Sequence, residues 1–151
     1  MKGFYNLTTK IKESLLEDAF CKTIIYGNGS KVDLNKQSIF PLANFVITNG
    51  VFIGSVWTFT VELSCADIVD ISKEDVTDTF LGNDNEQDVL NTQLAVIVRL
   101  MDRLKRGDLR AEKYQLKGTP SMQPFTGQME MLLAGWTVTF DVDILSDSTI
   151  E

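Results

Sequence analysis

A chain of 151 residues with 44% apolar and 23% charged residues can bury a core without disulfide or metal staples, and it predicts one domain, residues 1–151. Its formal charge of -7 argues against a direct grip on nucleic acid or on an anionic membrane. The complete absence of histidine removes Ser-His-Asp triads, Cys-His dyads and every histidine-bearing metal site, so no metal and no cofactor are expected.

No apolar run approaches the roughly 20 residues that span a bilayer, and the first residues lack the apolar stretch of a secretion signal. The expectation is a protein used on the cytoplasmic side, without a membrane. Cys21 and Cys65 cannot build a disulfide framework or a metal site alone; Cys65 continues the inward series of its strand and reads as a buried thiol, and Cys21, at a helix end, as equally inert.

In chain order, Phe4, Leu7, Ile11, Leu15 and Ala19 recur at helical spacing, with Leu16 and Phe20 widening the stripe, so residues 4–20 predict an amphipathic helix. Residues 22–26 are short and β-branched and read as a strand, broken by Gly27-Asn28-Gly29-Ser30. That glycine pair lacks the spacing of a phosphate-binding loop. Residues 39–47 read as a second strand, with Pro41 confining that part to an edge or a bulge. Thr48-Asn49-Gly50 predicts a turn, and residues 51–65 a long strand bending at Gly54.

Between residues 67 and 88 eight acids crowd a segment whose only base is Lys73; the spacing of a calcium loop is missing, and residues 67–84 read as an acidic loop. A second helix follows to Arg106, opened by an Asp84/Gln87 capping box and carrying Leu90, Leu94, Ile97, Met101 and Leu104, with Val96, Val98 and Leu100 thickening the stripe. Arg99, Arg103, Lys105 and Arg106 gather toward its end, where they suit the helix dipole better than they argue for an anion site. Residues 111–116 predict a strand. Residues 117–128, with Gly118, Pro120, Pro124 and Gly127, predict an extended arm carrying Met122 and Phe125.

The last strand, residues 129–144 with a kink at Ala134-Gly135, alternates strictly: Trp136, Val138, Phe140, Val142 and Ile144 face one way, and Thr137, Thr139, Asp141 and Asp143 the other. Residues 57–65 repeat the phrase, Trp-Thr-apolar-Thr-apolar-acid-apolar, with Trp at the matching end. The expected fold class is α+β, a mostly antiparallel β-sheet packed by two α-helices in the order α-β-β-β-α-β-β.

That order, with Thr23-Ile24-Ile25-Tyr26-Gly27, the phrase from Asp33 to Ala43, the paired Trp-Thr strands and the helix over 93–106, resembles the tail-terminator or tail-completion proteins of long-tailed bacteriophages. The resemblance implies a structural virion protein, assembled in the host cytoplasm, that forms a homohexameric ring capping the tail tube. It implies three partners: other copies of itself, the tail-tube protein and a neck or head-completion protein. Genome DNA would pass through the ring without specific binding, and an acidic wall would let it slide. Glu62, Asp141 and Asp143 are then candidates to face the channel or an interface, and Met122 and Phe125 to reach a neighbouring subunit.

Other readings stand beside it. A tail-tube, head-closure or baseplate subunit of a phage-like particle would share this architecture, and so would a non-viral protein-binding domain. An enzyme would have to use carboxylates such as Glu62 and Asp141, which occupy matching places in the paired strands; two acids on a wet sheet face are usually only solvated, so no catalytic residue is assigned.

Overall fold

The computed structural model describes residues 3–27, 40–69, 86–111, 113–128 and 133–145. Its elements are α1 (Gly3–Leu16), β1 (Thr23–Tyr26), β2 (Leu42–Ile53), β3 (Val56–Ile68), α2 (Glu86–Arg106), a short α3 (Asp108–Ala111), β4 (Gln115–Gln128) and β5 (Leu133–Leu145). The strands form one sheet in the order β1-β2-β3-β5-β4, antiparallel except where β1 pairs parallel with β2. This is the α+β class that the alternation and the helical stripes predict.

The two phrases of alternating residues lie side by side at the sheet centre, β3 against β5. Because they run antiparallel, the tryptophans stand at opposite ends: Trp57 opposes Ile144, and Trp136 opposes Cys65. The identical reading direction of the two phrases conceals this, since direction in sequence says nothing of direction in the sheet. Phe59, Val61, Leu63 and Cys65 of β3 and Val138, Phe140, Val142 and Ile144 of β5 are all buried on one face. Against that face lie Leu7, Ile11 and Leu15 of α1 and Val96, Ile97, Leu100, Met101 and Leu104 of α2. Each fully buried aliphatic of this set contributes about 1.5–3 kcal/mol of transfer free energy.

Three expectations about the strands are corrected. The turn is Gly54-Ser55 and not Thr48-Asn49-Gly50: Ile53 pairs with Val56, and Gly54 takes φ +64°, which glycine adopts without steric cost. At 47–49 the register slips by one residue, so Ile47 opposes Val61 while Asn49 opposes Thr60. That bulge interrupts the alternation of β2, which is why the stretch imitates a turn. The predicted arm over 117–128 is the greater part of edge strand β4; an edge tolerates Pro120 and Pro124 because one side of its backbone has no partner to supply. The predicted strand over 111–116 is shared between the end of α3 and the start of β4.

Helix α1 stops at Leu16, short of the predicted Phe20, and both residues are about half exposed. In α2 the buried face runs through Val89, Gln93, Val96 and Leu100, so Val98 points outward. Gly135, the expected kink, is a close approach: a Cβ there would sit 1.9 Å from the Cys65 carbonyl oxygen. The acidic stretch over 70–85, with it Asp84 of the expected capping box, residues 28–39, residues 129–132 and the tail beyond Leu145 lie outside the described residues.

Candidate functional site

Both α1 and α2 cover the same face of the sheet, and no helix among the described residues covers the other, which presents the alternate residues of the strands and is called the uncovered face. Across it run registered rows: Asn49–Thr60–Asp141–Lys117, Val51–Thr58–Asp143–Gln115, Val46–Glu62–Thr139–Ser121 and Asn44–Ser64–Thr137–Gln123. Thr58 Oγ1 donates to Asp143 Oδ1 at 2.6 Å and Thr60 Oγ1 to Asp141 Oδ1 at 2.7 Å, while Ser64 and Thr137 share a hydroxyl–hydroxyl bond of 3.0 Å. Three of these four rows are thus joined by cross-strand side-chain bonds, which hold the two carboxylates in place.

The sequence-assigned candidates divide on this geometry. Asp141, Asp143 and Glu62 share the uncovered face; Glu62 is exposed and the two aspartates are half-buried. Glu62 does not pair with Asp141, because the register sets it opposite Thr139. Met122 turns the other way and packs against the main core, so it is no free arm residue. Phe125 stands opposite Gly135 on the uncovered face and is half-buried. At that end the face becomes apolar, with Leu42, Leu133 and Phe40 clustered beside Ile25 and Ile68.

The sequence reading missed two features. One is a run of aromatic rings along the β1/β2 margin: Phe45 to Tyr26 (5.3 Å between centroids), Tyr26 to Phe4 (6.4 Å), Phe4 to Phe59 (5.9 Å), Phe59 to Trp57 (5.5 Å) and Trp57 to Phe52 (4.8 Å). Phe4, Tyr26 and Phe52 are two-fifths to one-half exposed, and Tyr5 is exposed on the same helix as Phe4. A groove of about 430 Å³ opens between α1 and β1 on Tyr5, Thr8, Lys12, Ile24 and Tyr26. The rings come from four elements, α1, β1, β2 and β3, so no local pattern announces the run.

The second is a charged clasp. Arg99 holds Asp18 through two bonds of 2.6 and 2.8 Å, its guanidinium lies over the Phe20 ring, and Arg103 reaches Glu17 at 2.8 Å. Burial alone would raise the Asp18 carboxyl, but the Arg99 bonds, the Phe20 N–H and the Arg103 charge outweigh it and hold it below the usual carboxylate range. These arginines tie the end of α1 to α2, which gives them a structural occupation beyond the helix dipole. A cavity of about 230 Å³ beside the clasp belongs to it, lined by Asp18, Phe20, Arg99 and Arg103.

Little else is poised for chemistry. Burial pushes the Cys21 thiol up to about 11, and burial with the neighbouring Cys21 and Asp18 pushes Cys65 higher still, so neither offers a thiolate at neutral pH. Burial raises the Asp67 carboxyl, partly opposed by the Ile68 N–H. Among the described residues no three acids or cysteines gather as a metal site, and no helix is long and apolar enough to cross a membrane. Gln93 Nε2 and Asn44 Oδ1 are buried without a hydrogen-bond partner among the described residues.

No family model matches the sequence, and no curated protein is significantly similar to it.

Proposed function

We propose that the chain is a structural ring subunit of a long-tailed bacteriophage, a tail terminator or neck protein whose homohexamer caps the tail tube and joins it to the head-proximal connector. The observation that carries this reading is the one-sided fold. Helices close one face of the sheet, and among the described residues the centre of the other presents bonded rows of hydroxyls and carboxylates. Such rows have small side chains already fixed by mutual bonds, so covering them with another protein surface loses little rotamer freedom. The aromatic margin supports the same conclusion, because a contiguous apolar strip of this kind marks a place for a protein partner.

The function is architectural and not catalytic. The carboxylates on the uncovered face are engaged with threonines, Asp143 by Thr58 and Asp141 by Thr60. In a ring of six, a subunit charge of -7 gives a strongly negative assembly that repels DNA and lets it pass. The virion is then the site of action, and tail tube and head-completion protein are the partners.

Light scattering and negative-stain images of the purified protein, alone and with isolated tail tubes, test the reading. Rings of six, or a monomer that assembles on tube ends, are expected. A protein that stays monomeric and ignores tail tubes overturns it. Copy number in purified particles separates one terminal ring from the many stacked rings of a tube protein.

A further inference from the structure

On the premise of a ring-forming subunit, we propose that the acidic rows of the uncovered sheet face dock head to tail on the basic end of α2 and α3 of a second copy, so that Asp141 and Asp143 belong to the subunit contact.

The two charged regions lie on opposite sides of one chain and at the same height along the strands. Trp136 Nε1 donates to the Leu90 carbonyl at 2.9 Å, which pins the start of α2 over the Trp136 end of β5. From Leu90 to Arg106 the helix rises about 24 Å, and from Trp136 to Asp143 the strand advances about 23 Å. The end of α2 therefore lies above the level of Asp143, on the far side of the sheet. The chain path agrees: Tyr114 N–H donates to the Leu109 carbonyl, and Gln115 then enters β4 opposite Asp143. Copies stacked with helix layer on sheet face thus bring basic end and acidic rows together without sliding along the strand axis.

The charges complement one another. Glu62, Asp141 and Asp143 occupy the face, and Lys117 is its one cation among the described residues. At the other end Lys105, Arg106, Arg110 and Lys113 are exposed and outnumber the one exposed acid there among the described residues, Asp108. Arg106 shares one 3.3 Å bond with a half-exposed Asp102, and Arg110 is folded back by a 2.9 Å bond to the Lys105 carbonyl; both keep N–H donors to offer. On the acceptor side, the threonine bonds hold Asp141 and Asp143 about 7 Å apart along one strand. Planar guanidinium forks bind such fixed carboxylates better than they bind mobile ones. The contact is heterologous, joining two different patches, and it generates a closed ring when the rotation between copies closes.

A charge swap tests it. The acid-face variant Asp141→Lys/Asp143→Lys and the basic-end variant Arg106→Glu/Arg110→Glu are each examined by sedimentation at low and high salt. Circular dichroism checks that each is folded. Each variant alone is expected to weaken self-association by about tenfold or more, because the altered patch then faces a patch of its own sign. An equimolar mixture is expected to assemble again, since every contact in an alternating array regains opposite charges, and the quadruple variant should assemble unaided. If the lysine variant fails to fold, Asp141→Asn/Asp143→Asn serves, with weakened association of the folded protein as the supporting result and unchanged association as the overturning one. Variants that assemble like the parent overturn this contact while leaving the ring reading intact. Loss in both variants without rescue in the mixture or the quadruple variant also overturns it. A parent chain that never self-associates, with or without tail tubes, overturns both.

Discussion

The two faces of the sheet are built from the same strands and differ only in which alternate residue they show. On the covered face Val61, Leu63, Val138 and Val142 have no exposure at all, and their worth lies in area removed from water. On the uncovered face Thr58, Thr60, Asp141 and Asp143 stay partly wet and are joined by directed bonds. The first face decides whether the chain folds, and the second what the folded chain meets. Substitutions on the two should therefore separate stability from assembly.

The sharpest test of that division falls between β3 and β5, where the faces share a backbone. Gly135→Ala is expected to be the most damaging change, since the added Cβ meets the Cys65 carbonyl and the Ala66 Cα at distances that real Cβ atoms do not show. Separating two central strands should leave little folded protein, seen as loss of a cooperative thermal transition. A well-folded Gly135→Ala protein would mean the strands can part there cheaply. Next comes Phe140→Ala on the covered face, expected to destabilise by about 3–5 kcal/mol in denaturant titration.

Asp18→Ala should cost less, about 1 kcal/mol, because Arg99 is half exposed and recovers water when its partner is lost. Its pH signature has a definite sign. The folded-state carboxyl titrates below its ordinary value of 3.8, so the clasp's contribution is present above that value and is lost as pH falls through the lower, folded one. The parent should therefore lose its advantage over the variant only in that acid range. Of similar size, Thr60→Val keeps the side-chain shape and removes the bond to Asp141; a loss of about 0.5–1.5 kcal/mol is expected, with the covered face unaffected. A loss as large as that of Phe140→Ala would mean that the hydroxyl rows hold the fold together, and that the two faces are not separable.

How far the sequence could be read depended on whether the signal was periodic and local. The alternation of Trp57 to Cys65 and of Trp136 to Ile144 identified the covered face residue by residue, because a strand's side chains must alternate. The stripe on α2 was legible too, except for Gln93, a polar residue on the buried face that no hydrophobic count would place there. Reading failed where a tertiary partner changed the rule. The β2 bulge looked like a turn because Asn49-Gly50 has turn chemistry and the slip at Thr48 breaks the alternation. Strand β4 looked like a loop because prolines are forbidden only where both edges are paired. The aromatic margin and the Arg99–Asp18 clasp had no sequence signal, since their members lie 81 residues apart in the clasp and in four separate elements along the margin.

By itself, then, the sequence determined the class of fold, which residues avoid water and which acids lie on a wet sheet face, because these follow from period and polarity along a short stretch. The tertiary structure decided that β3 and β5 run antiparallel, that Thr58 and Thr60 bond Asp143 and Asp141, and that Glu62 meets Thr139. It also decided that both helices close the same side. Register and sidedness depend on contacts between segments far apart in the chain, where packing of the whole core, and no local preference, chooses among otherwise equivalent pairings.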